Sequence, residues 1–588
     1  MNSRLDCIPA SRWLKHYRRT DFVQDISAAI IVTVLLIPQS LAYALIAGVP
    51  PEVGLYASIL PLVGYALFGT SRTLSVGPVA VISLMTATAL GDVVELGAAN
   101  YVMAAAVLAL LSGLFLIVMG MLKLGFITHF ISHSVISGFI SASGILIAAG
   151  QLKHIFGVYG EGEELVEILP ALIGEIPRSH LPTLAVGVFV IVFLMLARRY
   201  GLRVFVAAGW DAHKASLVTK TAPLFGVLAS IALAYFLQLE ARGVQLTGAI
   251  PAGLPRLGIA LPSWELVQGL TPSALLISII GYVESVSVGK TLGAKRRQRI
   301  DPDQELVGLG VANLASSLSG GFPVTGGFSR SVVNFDAGAV TQMASILTAG
   351  GIALAALFFT PVLYYLPKAA LAAIIIVAVL SLVDFTILKR TWRFSRSDSC
   401  AVLATITATL AFGVEVGLAC GVAISIALHL YRTSRPHIAE VGRVPGTEHF
   451  RNVNRYNVIT APEILILRPD ESLFFANASY LEDRIRQQVY ERDCIAHVVL
   501  QCSAVNEVDF SALEVLEDIN HQLADQGVRL HLSEVKGPVM DSLQKTGFLN
   551  QLSGNVYLTQ IEAFNALLKE VESAASAVRA ETDGPNAR

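Results

Sequence analysis

The chain reads as an α-helical polytopic membrane protein, with about fourteen transmembrane segments in two inverted halves of seven and a small α/β domain behind them. Three observations lead there. Of 588 residues, 54% are hydrophobic and only 15% charged, a balance that fits a polytopic membrane protein and excludes a large soluble enzyme. The charge is also uneven. Residues 1–440 carry about 52 charged side chains and are net basic by about six, whereas residues 441–588 carry about 34 and are net acidic by about eight. Third, two short interrupted segments, near residues 78 and 328, occupy matching places in the two halves.

Residues 1–25 form a basic lead-in. Arg4, Arg12, Lys15, Arg18 and Arg19, interleaved with Asp6, Trp13 and Tyr17, suit a short amphipathic segment on the cytoplasmic membrane surface. No apolar core with a small-residue cleavage site follows at once, so a cleaved signal peptide is not expected. Segments able to span a bilayer then lie near 26–47, 53–69, 78–91, 100–122, 126–150, 180–198 and 220–238. The second half supplies 271–293, 304–319, 328–338, 341–360, 364–384, 399–412 and 416–431, the last two separated only by Gly413-Val414-Glu415. Parity supports this count. With a cytoplasmic N-terminus, loops after even-numbered spans face inside and should be basic. Arg198–Arg203, Lys295–Arg299 and Lys389–Arg393 fall there. Cys7, Cys400, Cys420, Cys494 and Cys502 show no paired spacing, so neither a disulfide framework nor a zinc site is expected.

The first segment of each half carries polar residues mid-span: Pro38-Gln39-Ser40 in one, Glu284-Ser285 in the other. The third of each half is short and opens on glycine: Ser75-Val76-Gly77-Pro78-Val79-Ala80, and Gly326-Gly327-Phe328-Ser329-Arg330. Seven spans per half is an odd number, so the second half is inserted upside down. Interrupted segments at matching places in inverted halves point to a midplane binding site.

Irregular backbone at membrane depth must be buried in protein or line a cavity. Pro78 suits a first helical turn, and Ser329 is a candidate N-cap after the tight turn that Gly326 and Gly327 allow. If both half-helices start near mid-membrane, their free N–H groups and positive dipole ends converge on one small volume that favours an anion. Arg330 adds a guanidinium suited to oxyanions. The competing reading is close helix packing at the glycines, with Arg330 extended to an interface. Gln39 and Tyr43 lie four apart on one helical face, either lining the same pocket or bonding between helices. Glu284 stands mid-span as a candidate proton carrier, against a fixed pair with Arg330 or Lys290. His129 and His133 are read as core histidines.

From about residue 456 the pattern becomes soluble α/β. Strands are expected at Ile464–Leu467, Leu473–Phe475, His497–Leu500 and Val528–Leu532, and helices near 478–490, 511–526, 538–546 and 560–575. Their alternation argues for one small, mostly parallel sheet. It contains no catalytic constellation and no Gly-rich nucleotide loop.

Several stretches resemble a known family. Pro38-Gln39-Ser40-Leu41-Ala42-Tyr43-Ala44, Pro50-Pro51 with Gly54-Leu55-Tyr56, Ser75 to Ser83, and Gly321 to Thr341 are similar to the SulP sulfate permeases, relatives of the animal solute-carrier anion exchangers and prestin. Val508-Asp509-Phe510-Ser511-Ala512 and Val535-Lys536-Gly537-Pro538-Val539 resemble a STAS domain. The resemblance implies a seven-plus-seven inverted repeat with a moving core and a gate, an anion site between the third and tenth helices, and dimers working by an elevator-like motion. It would place backbone N–H groups around Val79, Ala80, Phe328, Ser329 and Arg330 against the anion, with Gln39 and Tyr43 as lining. Ser511 occupies the serine that is phosphorylated in free-standing STAS proteins, but its neighbour is Phe510 where Ser or Thr is usual. Sodium-coupled bicarbonate members place Asp where Glu284 stands and a hydroxyl one turn later, where this chain has Val288, which favours protons over sodium.

The expectation is therefore a secondary active transporter, not an enzyme, taking up sulfate-type oxyanions with protons. Bicarbonate or C4-dicarboxylate transport is the alternative on the same fold, and a STAS-linked sensor or channel-like conductor the alternative of another class. The expected domains are a lead-in at 1–25, a transport domain at 26–435 with repeats at about 26–240 and 265–435, a STAS domain at 436–575, and a disordered tail at 576–588. No cofactor, metal or nucleic acid is expected. The expected setting is the plasma (inner) membrane with N-terminus and STAS domain cytoplasmic, as a homodimer in contact with lipid, the STAS domain being open to a cytoplasmic protein partner.

Overall fold

The computed structural model of the chain describes residues 9–94, 101–129, 132–160, 162, 164–249, 251, 253–258 and 263–582. The chain falls into two compact units, Met1–Ser425 and Ile426–Arg588.

The first unit is a multi-pass helical domain. Its spans are α1 (Arg19–Ile46), α2 (Pro51–Phe68), α3 (Ala80–Val94), α4 (Tyr101–Met121), α5 (His133–Phe156), α6 (Leu181–Ala207) and α7 (Ala222–Phe236). The second half repeats the set as α8 (Trp264–Lys295), α9 (Pro302–Leu318), α10 (Phe328–Asp336), α11 (Met343–Phe358) and α12 (Lys368–Leu380). The helix Arg396–Ser434 then supplies two more, because Gly413 at φ 84°, ψ 175° breaks it into α13 (396–412) and α14 (414–434). Only glycine reaches that backbone region at low cost, so one glycine separates the last two spans. The fourteen elements repeat seven plus seven.

Two packing groups recur. α1–α4 and α8–α11 interdigitate, with a close approach where Gly113 of α4 meets Gly310 of α9: a Cβ on Gly113 would lie 2.9 Å from the Gly310 carbonyl oxygen. Small residues permit such backbone approach where lipid supplies no hydrophobic drive. α12 packs between α5 and α6, with α7 beside α6. α6, α13 and α14 leave large apolar side chains outward, among them Val192, Leu196 and Phe412. Lipid solvates such side chains without cost.

Three expectations shift. The span near 126–150 begins as a 3₁₀ turn at Leu124–His129 and becomes helical only at His133. The side chains of His129 and His133 lie outside the described residues, as do Arg4, Asp6 and Cys7 of the lead-in. Short helices at Leu165–Glu175, Ala212–Lys220 and Thr386–Phe394 join the spans where loops were read. The α10 N-cap is Gly327, one residue before Phe328, so Ser329 sits inside the first turn and caps nothing. Gly327 still has extended backbone, φ −82° and ψ 131°, so helical geometry begins only at Phe328.

The second unit holds a six-stranded sheet of order β4-β3-β5-β6-β7-β8, from β3 (Ile438–Arg443), β4 (Phe450–Asn452), β5 (Ile464–Pro469), β6 (His497–Gln501), β7 (Arg529–Ser533) and β8 (Val556–Tyr557). β5 to β8 are parallel, while β3 runs antiparallel to both β4 and β5, so the sheet is mixed. Leu473–Phe475 is not a strand. Leu473 makes one bridge to Val508 before the chain turns into α15 (Ala478–Tyr490). α16 (Phe510–Asp525), α17 (Gly537–Lys545) and α18 (Gln560–Thr582) follow, α18 extending into the stretch expected to be a disordered tail.

Candidate functional site

The site is built from a two-residue ladder. β1 (Val76–Gly77) pairs antiparallel with β2 (Thr325–Gly326), Val76 facing Gly326 and Gly77 facing Thr325. Each strand runs straight into a half-helix, β1 into α3 and β2 into α10. The ladder therefore sets the two helix starts side by side, one from each inverted half. The ladder is buried, so its polar groups need partners. Ser285 Oγ of α8 accepts from the Gly326 N–H at 2.8 Å and lies 2.6 Å from Thr325 Oγ1, which donates to the Gly281 carbonyl. Ser75 N–H donates to Ser331 Oγ at 3.0 Å.

At the helix starts the first backbone acceptances are Ser83 N–H to Val79 O at 2.9 Å and Ser331 N–H to Gly327 O at 3.1 Å. The N–H groups of Ala80 to Ile82 and of Phe328 to Arg330 thus form no backbone hydrogen bond among the described residues. These are the orphan donors that carry the positive helix end. Arg330 is buried beside them at 3% exposure. Its Nη2 donates to Gly77 O at 2.6 Å and Thr325 O at 3.2 Å, which fixes the guanidinium on the ladder. Among the described residues no carboxylate forms an ion pair with Arg330. Space for it depends on two glycines: a Cβ at Gly327 would lie 2.5 Å from Nε, and one at Gly77 would lie 2.7 Å from Nη1.

A cavity of about 520 Å³ opens on this point. Gln39 and Tyr43 of α1, Val79 and Ala80 of α3, Glu284 of α8, and Phe328, Ser329 and Arg330 of α10 all line it. All eight residues of the first unit expected to bind the anion or carry the proton thus line one space. Phe328 and Ser329 project into the open, Phe328 at 49% exposure, while Gln39 is buried in the wall. Glu284 forms neither hydrogen bond nor ion pair with another described residue, so the expected alternative of a fixed pair with Arg330 or Lys290 is absent. It also borders a small apolar pocket with Val81, Phe139 and Leu418 on its other side. Ser511 does not join the site. It lies in the second unit, exposed in the first turn of α16, whose cap is Asp509 accepting from Ala512 N–H at 2.8 Å.

Two buried carboxylates escaped the sequence reading. Glu305 accepts from Tyr65 Oη (2.7 Å), Thr70 N–H (2.7 Å), Thr70 Oγ1 (2.6 Å) and Ser71 N–H (3.1 Å). Asp25 accepts from Val340 and Thr341 N–H, Thr341 Oγ1 and Tyr17 Oη. Both are fully satisfied braces. An acid beside an apolar span was the available signal. Lys220 and Arg198, which also line the cavity, were missed as lining.

Facing half-helix starts in an inverted-repeat helical membrane domain, followed by an α/β domain, define a membrane anion carrier. The sequence comparisons then place it. The sulfate permease family matches residues 22–405 and the STAS domain matches residues 455–563, so the chain belongs to the sulfate permease family. The chloroplastic sulfate transporter 4.1 of Arabidopsis thaliana is 35% identical over 579 residues, covering 96% of this chain and 83% of the relative. A probable sulfate transporter of Mycobacterium tuberculosis is 32% identical over 555 residues, covering 94% and 96%. In fold the chain is similar to the murine Solute Carrier 26 family member A9 anion transporter, with TM-score 0.86, 23% identity and coverage of 96% and 94%. It is also similar to the transmembrane domain of a cyanobacterium bicarbonate transporter, with TM-score 0.58, 20% identity and coverage of 70% and 98%.

Proposed function

We propose that the protein takes up a sulfate-type oxyanion together with protons by secondary active transport. One observation carries the proposal. The two half-helix starts and Arg330 offer unpaired positive potential to the cavity that Glu284 borders without a partner. The backbone N–H groups around Val79, Ala80, Phe328, Ser329 and Arg330 hold the anion, with Gln39 and Tyr43 as neutral donors in the wall. Charge-assisted bonds of this kind favour oxyanions. Glu284 carries the proton: a carboxylate with no fixed cation can load when the site faces one side and release on the other. The names of the relatives at 35% and 32% identity favour sulfate over bicarbonate or dicarboxylate.

In this reading α1–α4 with α8–α11 move as a core against α5–α7 with α12–α14, in an elevator-like alternation within a homodimer. Residues 26–435 form the transport domain and 436–575 the STAS domain, which is open to a cytoplasmic partner. The N-terminus and that domain lie in the cytoplasm, and the membrane is the plasma (inner) membrane. Ser511 is a candidate regulatory position.

Reconstituted vesicles given labelled sulfate, bicarbonate or fumarate, with and without a proton gradient, test this. The expected result is saturable sulfate uptake driven by an inward proton gradient, with Arg330→Ala raising the half-saturating concentration roughly ten- to a hundredfold, the value of a charged hydrogen bond. Uptake driven by sodium and indifferent to pH sinks the proton reading. Uptake of bicarbonate or fumarate alone reassigns the substrate, and non-saturating flux favours a channel.

A further inference from the structure

The same cavity is also lined by Arg198 of α6 and by Ser216, Thr219 and Lys220 of the short helix Ala212–Lys220. Those three stand at i, i+3 and i+4, on one helical face. Among the described residues Arg198 meets one protein acceptor, the carbonyl of Val377, 3.4 Å from Nη1, which engages one of its five donors. Lys220 forms an ion pair with Asp336, the last residue of α10. That pair is weakly held. Its side chains are 30% and 37% exposed, such pairs are worth about 0–1 kcal/mol, and a carboxylate at a helix C-terminus opposes the dipole. The rest of that end of α10 is tied to the core: Asn334 donates to Thr73 O, and Arg296 donates to the carbonyls of Phe335 and Ala339.

We propose that Arg198 and Lys220, with the hydroxyls of Ser216 and Thr219, form a second anion site for a divalent oxyanion such as sulfate, and that Asp336 is its built-in competitor. The inference rests on the transport reading above. α10 joins the two positions. Its N-terminus faces the first site and its C-terminal carboxylate guards the second, about 13 Å away at 1.5 Å per residue. An anion leaving Arg330 displaces Asp336 from Lys220, and Asp336 in turn displaces the anion, so the second position holds the anion briefly and does not become a trap.

The test uses purified full-length protein, with labelled sulfate binding at equilibrium and uptake kinetics in vesicles. Lys220→Gln and Arg198→Gln should each raise the half-saturating sulfate concentration about three- to tenfold, and Asp336→Asn should lower it by a similar factor. In Arg330→Ala, weak sulfate binding should persist and vanish when Arg198→Gln and Lys220→Gln are added. Lys220→Arg, which keeps the charge, should retain affinity and guards against misfolding of the neutral variant. Lys220→Gln and Asp336→Asn shifting affinity in the same direction would overturn the proposal, because a structural brace behaves that way. Complete loss of binding in Arg330→Ala would overturn it too. Binding that follows this pattern in a protein that moves no sulfate upholds the second site and fails the transport reading instead.

Discussion

At the scale of residues, the site turns on how Arg330 is accommodated. A guanidinium inside a membrane domain is expensive, and here it is held by two backbone carbonyls, with no ion pair to an acid among the described residues. Gly77 and Gly327 leave the room it needs, so their side-chain absence is a requirement of close approach and not of turn geometry; Gly327 has φ −82°. Gly77→Ala and Gly327→Ala should each displace the guanidinium and raise the half-saturating anion concentration roughly tenfold, the equivalent of a 1–3 kcal/mol overpacking strain. Transport kinetics beside an unchanged circular-dichroism spectrum check this; wild-type affinity in both variants would detach Arg330 from binding. Glu284 and Arg330 were legible because charges inside apolar segments stand out. What separates Glu284 from Glu305 was not legible. Glu305 is satisfied by Tyr65, Thr70 and Ser71, more than 230 residues away in the chain, and only the fold brings them together.

At the scale of elements, the matched interruptions near 78 and 328 were readable, since glycine and proline inside membrane spans have few other uses. The β1–β2 ladder that joins them was not: two-residue strands leave no periodicity to read. The break between the last two spans was visible only as Gly413-Val414-Glu415, and it depends on a φ of 84° that other residues resist. A Cβ there meets nothing within 4 Å, so Gly413→Ala costs backbone strain alone, about 1–3 kcal/mol. The thermal midpoint should fall, and an unchanged midpoint would mean that α13 and α14 merge into one helix. In the second unit, β6 and β7 place His497 and His531 side by side in the sheet, 3.1 Å apart between Nδ1 and Nε2. His531 Nδ1 accepts from Asn555 N–H, so its Nε2 carries the hydrogen given to His497, and a further proton breaks one of these bonds. Burial, then the neighbouring His497 and Arg529, lower the His531 pKa from 6.5 to about 4, with Glu570 opposing. The unfolded strand binds the proton more readily. This contribution is therefore complete above pH 6.5 and is lost as pH falls toward 4, up to about 3 kcal/mol. Hydrogen exchange of β6 and β7 amides should accelerate steadily from pH 6.5 to 4.5 beyond the intrinsic trend; flat protection would place both protons elsewhere.

At the scale of the whole molecule, hydropathy and the basic loops were enough to count spans, because a bilayer enforces length and Lys and Arg report sidedness. The division into two packing groups was not visible in composition: α1–α4 and α8–α11 come from both halves and share no sequence signal apart from small residues at their contacts. The cavity that holds the half-helix starts is also lined by Arg198, the first residue of the basic stretch Arg198–Arg203, which the structure places in the C-terminal turns of α6 and which parity assigns to the cytoplasm. In the orientation proposed, the site therefore communicates with the inside. A carrier in that state must return to the outside, and in the proposed mechanism a proton on Glu284 couples the two legs. Glu284→Gln mimics the protonated acid permanently, so coupling and translocation separate. Labelled sulfate should still exchange across the membrane against unlabelled sulfate, while accumulation driven by a proton gradient disappears. Counterflow and gradient-driven uptake measured in the same vesicles decide it. Loss of both shows that Glu284 is needed to hold the anion or the fold, and retention of both moves the coupling proton to another group.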